Sequence, residues 1–502
     1  MSLLSVDIGS SACKAVAFTL DGEILAQHSC AYTPDFPKPC YAEIDAARFW
    51  DAVCTCTQAV AKELRDPVRA LCISSHAETF IPISQAGEAI GPAILNQDTR
   101  ATRETAWIEE QFGLKRLFEN TGLVPHPMYP VPKILWLRKH QPQVFSSAAS
   151  FVTVIGYILS RLGLPPYVDY SLASRFLAFN IRGRRWAEDI LDCVDLKSDR
   201  LPVAVPAGTI AGELKASSAS QLGLPSGIPI VLGGHDQPCA ALGLGVIGPG
   251  PVADSMGTYE CLLAASDSPI LSESAFAARL NSYCHVVPDK FATIAYFPSG
   301  IMLKWFHDLL YADGDGQLGS AAEKSESEHY TFLEVHTPSG PTGLCVTPNL
   351  IGTCNPDFNP HARGIIYGLN PGSGRTEIYK AILEGLACEL SQIAAVFAKA
   401  VGDFEDIYAT GGGARSSLGL KLRAALTGKC VHVMECPEAV CLGGAILAGV
   451  AVGEYRNISE AVGQVVRKAA TVSPDPDLAS AYAPQLKQYQ WLRSLPVLPV
   501  NA

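Results

Sequence analysis

Not one Cys-x-x-Cys pair occurs in this chain of 502 residues, although it carries 16 cysteines. A zinc-knuckle or thioredoxin-type spacing is therefore excluded. Cys72, Cys239, Cys261 and Cys388 each sit singly among apolar neighbours and read as buried free thiols. Charge is scarce too, at 17% of residues, and acids outnumber bases to leave a net charge of -11. A general nucleic-acid binder needs a basic stripe, so no nucleic-acid partner is expected. Long apolar runs are also missing. Residues 227–248 are interrupted by His235, Asp236 and Gln237, and residues 439–453 are too few to cross a bilayer. The chain opens directly in a strand pattern, with no basic and apolar leader. A cytoplasmic protein without a membrane partner is the expectation.

What is present is apolar side chain in quantity, 48% of residues, and a length that predicts two large domains. Two short strings half a chain apart say the same thing. VDIGSSACKAVAF begins at Val6 and VADSMGTYECLLAA at Val252. Each sets an Asp shortly before Gly with Ser or Thr, then runs into small and β-branched residues. Such a strand–turn–strand hairpin turns backbone N–H groups and a hydroxyl toward one point. Two of them suggest a duplicated fold whose halves grip the phosphates of one nucleotide.

The pattern between the hairpins agrees. Residues 3–18 and 24–30, with a turn at Asp21 and Gly22, predict a β-meander. A helix over 49–64 and a buried strand over 68–75 follow, then helices over 99–112 and 131–139. Residues 34–39, 125–130 and 201–208 read as loops. A second meander starts near Gly250 and continues through residues 285–295, and residues 302–311 follow. Residues 313–327 are polar and read as a surface loop. Helices over 375–401, 417–426 and 440–453 flank a strand over 407–410. Meander followed by alternating helix and strand occurs in both halves, so the expected class is α/β with two like-built domains. The expected boundaries are 1–248, 249–455, and a helical extension over 456–502.

The most pointed chemistry lies in IPIVLGGHDQPCAA from Ile228. An apolar strand ends in two glycines and delivers His235, Asp236 and Gln237 at its carboxyl end, where ligands gather in open α/β sheets. Pro238 suits the first turn of a helix. Asp236 there can take a proton from a hydroxyl attacking a phosphoryl group. Its other reading is a helix N-terminal carboxylate. In the first hairpin, Ser10, Ser11 and Lys14 follow Gly9, and Lys14 can meet phosphate as a point charge or stand solvated. Asp7 beside a phosphate nest calls for a cation, which implies Mg²⁺. YATGGGARSS from Tyr408 runs a strand into three glycines, where a flat ring or a phosphate can approach the backbone.

Together these strings resemble the FGGY carbohydrate kinases, whose fold is a pair of actin/hexokinase-like (ribonuclease H-like) domains around a central catalytic cleft. The resemblance runs from Val6 to about Tyr455. It rests on the first hairpin, residues 73–79, NQDTR from Asn96, GGHDQ from Gly233, the 254–258 turn, residues 364–385 and the 411–415 corner. It implies ATP and Mg²⁺ as cofactors, a small sugar or polyol as substrate and, by analogy, a homodimer. Asp236 matches the family's catalytic base and Gln237 its substrate-contacting neighbour, with Asp7 and Asp236 beside the metal. Gly9, Ser10, Ser11 and Lys14 match the first phosphate loop, and Gly257 and Thr258 the second. Gly300 and Lys304 fall at nucleotide-contacting positions, and Gly412, Gly413, Ala414 and Ser417 at the adenosine site.

His76, Ala77 and Glu78 occupy the sugar-contacting stretch, and Tyr296 is a further candidate. Glu78-Thr79 and the downstream QDTR look like glycerol kinases, which carry an Arg where Ala77 stands. Xylulose kinases put a His at the place of Glu78, and their Gly-Glu-Arg-Thr-Pro loop is GTCNP here, from Gly352. Overall length and GGHDQ favour a xylulose-kinase-like enzyme over a glycerol or short-polyol kinase. Two rivals from other classes stand beside it, an actin- or chaperone-like ATPase and a non-catalytic sugar binder. The bland reading of Glu78 is a structural carboxylate paired with Arg100 or Lys133.

Overall fold

The computed structural model describes residues 1–311 and 325–495. Two sheets carry the architecture. In the first, β1 (Ser2–Ile8), β2 (Ala12–Thr19) and β3 (Ile24–Ala31) form the expected meander. After helix α1 (Ala47–Glu63), strand β4 (Val68–Ser75) joins β1 in parallel. The antiparallel pair β5 (Ile210–Glu213) and β6 (Pro229–His235) completes the order β5-β6-β4-β1-β2-β3, and helix α2 (Asp236–Gly243) follows.

The second sheet repeats the plan. Strands β7 (Val252–Met256), β8 (Tyr259–Ser266), β9 (Asn281–Cys284) and β10 (Phe291–Pro298) precede helices α3 (Gly300–Tyr311) and α4 (Arg375–Val401). Then come β11 (Asp406–Thr410), α5 (Ser417–Thr427), β12 (Cys430–Met434), α6 (Ala439–Ala451) and β13 (Lys468–Val472). The order is β9-β10-β8-β7-β11-β12-β13. In both sheets the hairpin strand pairs antiparallel with its successor and parallel with the strand after the crossover. The duplication inferred from two short strings is therefore a property of the strand order.

Helix α6, from the second half, lies on the first sheet. Leu442, Ala445 and Ile446 share a core with Leu3, Val16, Cys72 and Val231. Helix α2 crosses it closely. A Cβ on Gly443 would stand 2.0 Å from the Cys239 carbonyl, and one on Gly243 1.9 Å from that of Ala439. Only hydrogen fits at that crossing, so this contact ties α2, which begins at Asp236, to the second half of the chain. Helix α4 is long and apolar enough to pass for a membrane span, yet it is mostly buried among the second half's own elements.

Three expectations are refined. Within residues 285–295 the meander resumes as strand only from Phe291, where β10 begins, because Pro288 and Asp289 make a turn after β9, with Asp289 at φ 61. Residues 456–495 hold the expected helices, over Ile458–Val465 and Pro476–Ser494, and between them β13 adds an edge strand to the second sheet. Its residues are largely exposed, so no apolar alternation marked it. Residues 313–324 of the expected 313–327 loop lie outside the described residues, and Ser325 caps a helix over Glu326–Val335.

Candidate active site

The register of the first sheet assembles the site. Ile8 is opposite Ser75, and Ser75 opposite His235, so β1, β4 and β6 end in line. The chain leaves those ends as Gly9, His76 and Asp236. At β6 the register slips at a bulge between Leu232 and Gly234. Gly234 has φ +122, and a Cβ there would lie 2.8 Å from Asp169 Oδ2 and from Ser171 Oγ. A glycine is thus required to turn the strand, and the turn aims His235 and Asp236 into the cleft.

His235 Nε2 lies 3.1 Å from Asp236 Oδ1. Burial pushes the Asp236 carboxyl up, but the hydrogen bond and charge of His235, with His76 behind, outweigh it and hold it below its ordinary value. Asp7 goes the other way. Burial, then the Asp236 carboxylate, push it to about 7 against a hydrogen bond from Ser74 Oγ at 3.2 Å. Two carboxylates at the ends of β1 and β6, on either side of β4, are so driven to different protonation states. Lys14 Nζ reaches across to Glu438 Oε2 at 2.5 Å, at the start of α6. Lys14 is thus a strut between the two halves. Glu438 was not picked out from the sequence.

The glycine N–H groups of both hairpins are spent on the turns themselves. Gly9 N donates to Ala12 O at 2.9 Å, and Gly257 N to Tyr259 O at 3.0 Å. Among the described residues the amides of Ser10, Ser11 and Thr258 have no such acceptor, so these are the donors left for an anion. In the second half the expected nucleotide residues converge on one point. Gly300 N donates to Gly257 O at 3.0 Å, and a Cβ on Gly411 would sit 2.7 Å from Met256 O. Gly412, Gly413 and Ala414 form a short 3-10 turn against Met256, and Ser417 opens α5. Lys304 is exposed and paired with Asp308 at 2.8 Å.

Most of the chain also matches one sequence family. Its N-terminal domain profile, "FGGY family of carbohydrate kinases, N-terminal domain", covers residues 2–243, and its C-terminal counterpart covers residues 252–452. The chain belongs to the FGGY family of carbohydrate kinases. It is 27% identical to a gluconokinase of Bacillus subtilis over 96% of this chain and 93% of that one. It is 26% identical to a xylulose kinase of Escherichia coli over 97% and 98%. Among solved structures, a xylulose kinase of Lactobacillus acidophilus superposes with a TM-score of 0.87 at 24% identity, covering 98% of this chain and 97% of that one. A Plasmodium falciparum glycerol kinase with ADP gives 0.85 at 20% identity, with 99% of both chains covered. Those superpositions carry the fold.

In this FGGY kinase two buried networks lie around the cleft that sequence did not reveal. Under the second hairpin, Arg423 donates from Nη2 to Glu260 Oε2 at 2.7 Å, and Ser299 Oγ donates to the same oxygen at 2.6 Å. Asp254, the second hairpin's Asp, is fully buried, and burial with the adjacent Glu260 charge raises its carboxyl well above the usual range. It is no counterpart of Asp7, which faces the cleft. On the other side, Glu78 pairs neither with Arg100 nor through its carboxylate with Lys133. Arg175 Nε donates to Glu78 Oε1 at 2.5 Å, while Lys133 Nζ donates to the Glu78 carbonyl at 2.8 Å. Arg100 is taken by Asp98 and Glu43.

Arg175 also lies over the rings of Tyr129 and Tyr283, at 5.2 and 4.9 Å. Tyr283 stacks obliquely on His235 at 5.6 Å, which joins this pair to Asp236. His76 differs from expectation: Nδ1 contacts Ile8 O at 2.9 Å and Nε2 contacts Thr79 Oγ1 at 2.7 Å. Both ring nitrogens are committed, and burial lowers its pKa, so His76 braces the strand ends as a neutral ring. Ala77 is buried and offers no polar atom. Gln237 is partly open in the cleft, and Tyr296 stands farther out, edge-on to Phe358 at 5.6 Å.

Proposed function

We propose that this FGGY kinase transfers the terminal phosphoryl group of ATP to a primary hydroxyl of a small ketose or polyol, with Asp236 as general base. The observation that carries this reading is the split between Asp236 and Asp7 described above. An ionised carboxylate at 22% side-chain exposure, oriented by His235, can align an acceptor hydroxyl and take its proton as the oxygen attacks. Gln237 follows it and adds an amide for a neighbouring hydroxyl. Glu78 keeps Oε2 outside its pair with Arg175 and accepts from a further hydroxyl. The amides of Ser10, Ser11 and Thr258 hold the phosphates, and the Gly411 corner receives the adenosine. The tie between α2 and α6 joins the helix that begins at Asp236 to the half of the chain that carries the nucleotide corner. All 16 cysteines are free thiols, as in a reducing, cytoplasmic setting.

Mg²⁺ belongs to the same reading. No cluster of three metal-ligating side chains occurs among the described residues. Mg²⁺ needs no such cage, since it keeps several waters and takes phosphate oxygens beside one or two carboxylates. Asp7 and Asp236 fit that role, because their mutual repulsion is charge that a dication neutralises. When bound, the ion would offset the phosphate charge.

The sign of the pH effect follows from Asp7. A carboxyl whose folded pKa stands at about 7, against an ordinary 3.8, favours the folded state below the lower value and loses that contribution as pH rises through the higher one. Mg²⁺ should therefore raise Tm more at about pH 8 than at about pH 5, by roughly 2 °C or more, and should do neither in Asp7→Asn. Equal gains at both pH values would remove Asp7 from the cation site.

The reaction itself is tested with a panel of ketopentoses, tetritols, glycerol and sugar acids, following ADP release. One acceptor class should raise the rate well above the acceptor-free background. The same hydrolysis with every addition would replace this reading with an ATPase.

A further inference from the structure

A cavity opens where the two halves meet, lined by His126, Tyr129, Arg279, Asn281, Tyr296 and Phe358. It continues the line of contacts that starts at Asp236 and passes through His235, Tyr283 and Arg175 to Tyr129. His126 lies within electrostatic reach of Glu78 and Arg175, which puts the cavity on the acceptor's side of the cleft.

The wall of this cavity is electrostatically one-sided. Glu78, the carboxylate on this side of the cleft, is neutralised by Arg175, whose Nη1 is buried without a hydrogen-bond partner. Arg279 makes no side-chain hydrogen bond or ion pair among the described residues. Glu109 influences it electrostatically but is not in contact. His126 is pushed down to about 4, first by burial, and its cationic neighbours are Lys133, Arg175 and Arg279. It therefore faces the cavity as a neutral ring.

The backbone of Arg279 is held in place, with its side chain exposed. Its backbone adopts φ 52, a left-handed conformation unfavourable for any residue with a Cβ. Asn355 fixes it there, donating from Nδ2 to the Ala278 and Arg279 carbonyls at 2.9 Å while its Oδ1 accepts from Tyr296 N at 3.0 Å. One amide thus locks the guanidinium's base and the Tyr296 backbone on the same cavity. Strained backbone kept in place by its surroundings is characteristic of ligand clamps.

We propose that this cavity receives the end of the acceptor remote from the phosphorylated hydroxyl, that this end is a carboxylate, and that Arg279 is the specificity-determining residue that binds it. Neutral hydroxyls need only amides and rings, which Asn281, Tyr129 and Tyr296 already supply. An unpaired guanidinium fork matches a carboxylate in shape and charge. The inference rests on the kinase reading above and moves its acceptor from neutral sugars and polyols to polyhydroxy acids.

The test uses acceptor pairs that differ only at one terminus, such as D-gluconate against D-glucitol and their shorter homologues. Binding is measured by calorimetry and turnover by ADP release. At least one aldonate should exceed its alditol by about tenfold or more in both readouts. Arg279→Gln should bring that ratio close to one, and Arg279→Lys should keep part of it as a point charge. Alditols that match or beat every aldonate, or a ratio unchanged in Arg279→Gln, would overturn the assignment. Arg279-dependent aldonate binding without any ADP release would uphold the cavity's role and refute the kinase reading instead.

Discussion

Asp236→Asn should lower acceptor-dependent ADP release by about 10²- to 10⁴-fold, the range a positioned general base contributes, while ATP affinity stays within about twofold. The amide keeps the size of the side chain and can still accept a hydrogen bond from His235 at the 3.1 Å contact. It cannot take a proton from a hydroxyl. Removing the charge also relieves Asp7, whose pKa the Asp236 carboxylate helps to raise, so the nucleotide side gains no new repulsion. The rival reading, a carboxylate serving only the start of helix α2, gives a different result. Loss of such a group costs stability, about 0.5–2 kcal/mol, and leaves turnover per folded molecule unchanged. Single-turnover ADP release together with a melting curve separates the two. A variant that melts earlier but turns over normally would end the case for Asp236 as base.

Much of this arrangement was legible in the residue order because it rests on local backbone chemistry. Two glycine hairpins, a Gly-Gly bulge before His235 and a triple-glycine corner are short-range requirements, and each lies where its spacing indicated. Strand β4 and helix α4 have the bounds their apolar patterns gave. What stayed hidden is the choice of partner across long separations. Arg175 stands 97 positions from Glu78, and Arg423 stands 163 from Glu260. Nothing in either neighbourhood distinguishes a buried guanidinium from a solvated one. The commitment of both His76 nitrogens was equally unreadable, since one partner is a backbone carbonyl supplied by β1. The exposed edge strand β13 was missed for the opposite reason, because an unburied strand leaves no apolar alternation.

The Glu78–Arg175 pair is where structural and chemical roles can be told apart. Both side chains are nearly sealed, at 5% and 3% exposure, and Glu78 is held at φ 63. Glu78→Gln alone strands a buried guanidinium and should cost about 3–5 kcal/mol, read from the shift in denaturant midpoint. Arg175→Met alone strands the carboxylate and should cost a similar amount. The double variant leaves no unpaired charge, and most of the loss should return, as it does when apolar or neutral groups replace a buried ion pair. Activity is the second axis of the cycle. If Glu78 serves only to neutralise Arg175, turnover recovers together with stability in the double variant. If Oε2 accepts an acceptor hydroxyl, the recovered fold should still show kcat/KM depressed by about tenfold or more, since one charge-assisted hydrogen bond has gone. Folding energy and acceptor recognition then separate at a single carboxylate, and a double variant that regains both would assign Glu78 to the scaffold alone.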